Sequence, residues 1–177
     1  MRPSALSLRC SALLASFAIG FLACTGVALA FPAPERVVAL DPQQSSIQWI
    51  GKKVTGQHSG TVALKSGEAR LQGDKLVGGT FEIDLGSIRV ADLTDPADNA
   101  KLTNHLKSDD FFAALAFPVA TFSITKAEPL TAGASSNANY RITGDLTIKG
   151  IRRELSFPAQ VTVAADKATA RASFEVD

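Results

Sequence analysis

The chain has 177 residues, of which 46% are hydrophobic, 20% charged and 7% aromatic, with 13 Gly and 8 Pro scattered along it and a formal net charge of +1. That composition excludes collagen, a disordered tail and a coiled coil, and the length fits one domain with a core of its own. A charge so nearly balanced leaves no footprint for nucleic acid or for an anionic membrane surface.

The apolar content is uneven, because twenty of the first thirty residues are apolar. Arg2 and Arg9 form a short basic region, Ala12 to Ala23 an uncharged apolar core, and Ala28-Leu29-Ala30 meets the small-x-small rule for signal-peptidase cleavage. Residues 1–30 therefore read as a secretory signal peptide. Cys24-Thr25-Gly26 interrupts the run before it reaches the roughly twenty residues of a membrane span. Lipidation at Cys24 fits less well, since Phe21 stands where a lipoprotein signal normally has Leu. Cleavage after Ala30 leaves 147 residues with a formal net charge of −1, and both cysteines, Cys10 and Cys24, depart with the leader. The mature domain, 31–177, is expected in the periplasm or secreted, without thiols, disulfides or a membrane span.

After an extended leader containing Pro32 and Pro34, apolar and polar residues alternate with period two. Strands are expected at 36–40, 45–54, 59–72 with a kink near Gly67, and 75–85. Asp95-Pro96 then supplies an N-cap followed by Pro at the first helical position, and Leu102 and Leu106 stand four residues apart on one face of a short helix. Strands resume at 119–130, 138–149, 151–164 and 167–177. Thr55-Gly56, Ser66-Gly67, Gly73-Asp74, the loop Thr131 to Asn139, Lys149-Gly150 and Ala165-Asp166 provide the turn chemistry between segments. The pattern is an all-β antiparallel meander. Strands of ten residues or more favour a barrel of about eight strands over a small sandwich, and such a barrel is wide enough for one small apolar ligand.

Raw material for catalysis is thin. His58 lies in Gly56-Gln57-His58-Ser59-Gly60, which reads as an exposed turn, and His105 near the helix end, where an imidazole can meet the last carbonyls. Asp109 and Asp110 follow His105, but a metal site there would lack a second histidine. Gly78-Gly79 and Gly144-Asp145 do not lead from a strand into a helix, so they read as kinks in coiled strands rather than phosphate loops. No Gly-x-Ser-x-Gly motif occurs in the chain. The expectation is a protein that is not an enzyme, with no cofactor and no metal.

Five fragments in order resemble the YceI-like, or polyisoprenoid-binding, family of bacterial exported proteins. They are Ser46-Ile47-Gln48-Trp49 with Gly51-Lys52-Lys53-Val54 and Gly60-Thr61; Gly79-Thr80-Phe81-Glu82-Ile83-Asp84 into Ser87-Ile88; His105-Leu106-Lys107-Ser108-Asp109-Asp110-Phe111-Phe112; Phe117-Pro118-Val119-Ala120-Thr121-Phe122; and Gly144-Asp145-Leu146-Thr147-Ile148-Lys149-Gly150. The resemblance implies a lipocalin-like antiparallel β-barrel with a helical segment, holding an isoprenoid-like lipid or another long apolar molecule. It also implies that a further closing strand would follow Phe174-Glu175-Val176-Asp177, so the barrel is expected to lack its C-terminal closing strand. Alternation marks Ile47, Trp49, Phe81, Ile83, Phe122, Ile124, Leu146, Ile148 and Phe174 as candidate lining. Phe111 and Phe112 are expected to plug one end of the barrel, with His105 and Asp110 fixing the helical segment or meeting a head group. A filled barrel that docks to an envelope partner is the alternative reading, and a homodimer is left open.

Overall fold

The computed structural model describes residues 33–53, 56–131, 137–164 and 167–176. The expected signal peptide, the centre of the loop Thr131 to Asn139, Val54-Thr55 and Ala165-Asp166 lie outside the described residues. Eight strands form one antiparallel sheet: β1 (Glu35–Ala39), β2 (Ile47–Lys53), β3 (Gly56–Gln72), β4 (Lys75–Val90), β5 (Val119–Pro129), β6 (Tyr140–Ile148), β7 (Ile151–Val163) and β8 (Ala168–Ala172). One helix, α1 (Pro96–Lys107), separates β4 from β5.

The spatial order is β1-β3-β4-β5-β6-β7-β8, with β2 also on β3. β1 pairs with Glu68–Gln72 and β2 with Gly56–Val62, so these two short strands share one edge of β3 and act as a single broken edge strand. Among the described residues β8 pairs only with β7, and the ladder does not close. The barrel expected from the sequence is therefore a curled, seven-position half-barrel, open along one seam. Its edges come within side-chain reach: Arg36 Nη2 donates to Ala164 O at 2.7 Å, and Lys52 Nζ stands 3.3 Å from Glu175 Oε1.

Two expectations need correction. Gly56-Gln57-His58 is strand, not turn, because its backbone continues the β2 ladder through Gly51↔His58 and Lys53↔Gly56. β4 does not stop at Leu85 but runs on to Val90 across a wide irregularity, where register jumps from Ala63↔Asp84 to Thr61↔Arg89. Gly86-Ser87 looks like a break in sequence, yet Ser87 Oγ donates to Asp84 O (2.6 Å) and accepts from Ala63 N (2.8 Å), replacing the lost ladder bond. The bend buries both Leu85 and Ile88. At the other end, β8 finishes at Ala172, short of the expected 177.

Register explains the alternation. On the concave face Phe81, Phe122, Leu146 and Arg153 fall in one row, and Gly79, Ile124, Gly144 and Leu155 in the next; on the convex face the rows are Thr80, Ser123, Asp145, Glu154 and Glu82, Thr121, Thr147, Arg152. One wall is mainly apolar and the other is wet. Lys149 (φ 52°) and Gly150 (φ 74°) both take the left-handed conformation that a two-residue I′ hairpin demands between β6 and β7.

The concave wall is packed at its two ends. One end holds Leu71, Leu76, Tyr140, Ile142, Phe157, Ala159 and Val161, with Val38 and Ala168 from opposite edges of the sheet packed against them. At the other, Val62, Ile88 and Val90 meet Leu106 of α1. Asp95 caps this helix as expected, accepting from Ala97 N (2.8 Å) and Asp98 N (3.0 Å), and Asn99 ties it to β4 by donating to Val90 O and Leu93 O.

Several concave glycines lie beneath aromatic rings. A Cβ on Gly67 would stand 2.6 Å from Phe81 Cδ1, one on Gly144 2.6 Å from Phe122 Cζ, and one on Gly60 2.7 Å from Trp49 Cε2. The rings fold over cross-strand backbone that only glycine leaves bare. Gly144→Ala is expected to cost about 1–3 kcal/mol of stability through overpacking against Phe122 and the Ser123 carbonyl. Urea unfolding of the variant checks this, and an unchanged midpoint would show that the ring can move aside freely.

Candidate functional site

The concave trough is the first candidate. Ile47, Trp49 and Ile83 pack against the helix-end cluster, Phe122 and Ile124 against the opposite cluster, and Ile148 against Leu85, Ala114 and Ala120. Leu146 is buried. Phe174, 47% exposed, stacks on Phe157 with ring centroids 4.2 Å apart. Eight of the nine candidates stand on the concave face by register or packing, while Phe174 lies beyond β8. Leu146 is fully packed, whereas Ile47, Trp49, Phe81, Ile83, Phe122, Ile124 and Ile148 are only half-buried although they face inward. Solvent reaches the middle of the wall.

The segment after the helix divides the pair Phe111-Phe112. Phe112 packs into the helix-end clusters and helps to stopper the trough. Phe111 lies outside, 47% exposed, edge-on to Phe112 at 4.9 Å and to His105 at 6.1 Å. The His105 carbonyl, rather than its ring, closes the helix, accepting from Ser108 N (3.1 Å) and Ser108 Oγ (2.8 Å). Asp110 is exposed and makes no side-chain hydrogen bond or ion pair among the described residues. His105 and Asp110 are therefore not a joined pair.

His105 instead shares a hollow of about 400 Å³ with Lys53, His58, Leu93, Asp98, Lys101 and Leu102. Sequence reading missed this grouping because His58 seemed to sit on a turn; its pairing with Gly51 turns it toward the helix. The helical contributors Asp98, Lys101, Leu102 and His105 follow the i, i+3, i+4, i+7 rule, a stripe visible in sequence once a partner strand is known. A second hollow of about 450 Å³, lined by Arg89, Val90, Pro96, Asn99 and Thr103 among others, flanks the same helix. Among the described residues no three His, Cys, Asp or Glu side chains group to hold a metal, and no helix is long and apolar enough to cross a membrane.

Asp92, just past β4, ties the hollow together. It accepts from Ser59 N at 2.9 Å and lies 2.9 Å from His58 Nδ1. The Ser59 N–H first, and the imidazole second, hold its carboxyl below the ordinary value of 3.8.

The fold and its wall define a class: a small antiparallel β half-barrel with an apolar inner trough and a helix-capped end. More particularly, the chain belongs to the YceI-like family, whose domain model matches residues 39–177. No curated protein matches it. Among solved structures it is similar to BcnA of Burkholderia cenocepacia, at 21% identity and a TM-score of 0.41 over 78% of this chain and 74% of that one. It is also similar to the YCEI protein of Campylobacter jejuni, at 19% identity and a TM-score of 0.38 over 82% of this chain, spanning 61% of that protein's length.

Because the folded state lowers the pKa of Asp92, its pairing stabilises above the unfolded value and is lost as pH falls through the folded one. Asp92→Asn should therefore melt below the parent at neutral pH, with the gap closing under acid conditions below 3.8. Thermal melts at both pH values check this, and a gap that persists in acid would assign the loss to shape rather than charge.

Proposed function

We propose that the protein is an exported carrier that holds an isoprenoid-like lipid, or another long apolar molecule such as a quinone tail, in the concave trough. It does so for transport, storage or sequestration in the periplasm. The single observation carrying this reading is the half-buried middle of the inner wall. Phe81, Ile83, Phe122, Ile124 and Leu155 are apolar, face inward and keep part of their surface exposed even where they touch the packed clusters. Membership of the YceI-like family supports the same reading.

The driving force is transfer of apolar chain out of water, about 0.8 kcal/mol per buried CH₂ group, or on the order of 3–4 kcal/mol per isoprene unit at full burial. Such a force is non-directional, so selectivity comes from trough length and from the rings laid over glycine. Residues 1–30 fit a cleaved export signal.

A second reading draws on the packed ends: a barrel too full to carry anything, acting through its surface on an envelope partner. Mass spectrometry of an organic extract from protein purified without detergent separates the two. The carrier reading expects a co-purifying long-chain lipid and a melting temperature that rises when a polyprenol or quinone is added. Phe122→Asp should abolish both effects, with Phe122→Leu as a folding-competent control. Clean extracts from several preparations, with no thermal gain, would favour the filled barrel.

A further inference from the structure

The hollow between the start of β3 and α1 brings together both histidines of the mature chain, and the trough does not need it. Its walls carry Lys53 from the end of β2, His58 from β3, and Asp98, Lys101 and His105 from α1. Its floor is Leu93 and Leu102, which also pack against the cluster that takes in Ile47 and Trp49. A polar hollow thus backs directly onto the apolar end of the trough.

The charges facing it nearly cancel. On the lining, Lys53 and Lys101 are set against Asp98, and behind it Asp92 engages the Nδ1 of His58. Lys52, next along β2, is drawn off to Glu175. With both imidazoles neutral the site is balanced, and each imidazole that gains a proton adds one uncompensated positive charge. Histidine is the side chain that makes this change between about pH 5 and 8. The geometry of His58 aids the switch. Asp92 fixes the Nδ1 side, so in the neutral ring Nε2 presents a lone pair, and protonation turns it into an N–H donor.

We propose that this hollow binds an anionic group, a sulfate, phosphate or carboxylate, and that His58 and His105 make its affinity rise on acidification. The occupant is the head of an amphiphile whose chain lies against Leu93 and Leu102. The anion site stands on the four basic side chains; only the chain's further course rests on the carrier reading.

The test uses probes whose own charge stays fixed across the range: decyl sulfate, decanol and inorganic sulfate, titrated calorimetrically into the whole mature chain at about pH 5.5 and about pH 8. Decyl sulfate should bind about fivefold more tightly at the lower pH, as expected for one or two weak surface charge pairs, while decanol shows no such change. Lys101→Gln should weaken decyl sulfate at both pH values, and the double change His58→Gln with His105→Gln should flatten the pH slope. Circular dichroism checks that each variant is folded; should the double variant unfold, His105→Gln alone should halve the slope. Equal binding of decyl sulfate and decanol at both pH values overturns the anion site and leaves the carrier reading intact. Binding of neither overturns the carrier reading, and in that case pH-dependent binding of inorganic sulfate supports the anion site while removing the amphiphile from it. A pH slope that survives loss of both histidines overturns their role.

Discussion

Everything in this fold depends on aromatic rings lying flat across bare glycine backbone on neighbouring strands. A single sheet of long strands that curls on itself crowds its concave side, and large rings standing upright there would fill the space. Trp49 over Gly60, Phe81 over Gly67 and Phe122 over Gly144 resolve the crowding by lowering the rings onto the wall. Each ring keeps its apolar contact while the height of the wall falls by a side chain. The half-buried state of Phe81 and Phe122 is the direct result. A core built without these glycines would either pack solid or push the strands apart, so the same residues that curve the sheet also leave the trough in it.

The ends are settled by different means. At one, Leu71, Tyr140 and Phe157 meet across the curl, and the Tyr140 hydroxyl accepts from Leu76 N at 3.4 Å, so the aromatic body is buried with its polar tip engaged. At the other, the stopper is helical: Leu106 and Phe112 drop onto Val62, Ile88 and Val90. Asn99 adds two bonds to carbonyls at the β4 exit, and the helix presents its Asp98, Lys101, His105 stripe outward to the hollow beside it.

Period-two alternation located seven of the eight strands to within two residues at their starts, because one wet face and one dry face impose that pattern on any curled sheet. The N-cap at Asp95 was equally legible, its chemistry being local. What alternation could not show was register. The extension of β3 back to Gly56 rests on pairing with Lys53, a partner far from it in chemistry though near in sequence, and the continuation of β4 past Gly86 rests on Ser87 standing in for a ladder bond. The first error comes from reading Gly56 as punctuation where tertiary pairing overrides it. The hollow followed the same fate: His58 and His105 stand 47 positions apart in the chain, and no periodicity joins a strand to a helix. Lining residues were legible as a face, but which of them are packed and which stay wet depends on the curl.

The seam shows how the trough can be both stable and accessible. Among the described residues no backbone ladder joins β8 to β1 or β2, and the polar bridges across the gap, Lys52 with Glu175 and Arg36 with Ala164 O, are solvent-exposed. Exposed pairs of this kind contribute about 0–1 kcal/mol. The apolar contact that spans the gap is the packed cluster that takes in Val38 and Ala168. Parting the seam therefore leaves every strand pair intact and exposes only a few apolar contacts. A long apolar guest lying against Phe122 and Leu155 would replace those contacts with its own, so occupancy and closure of the seam draw on the same hydrophobic surface.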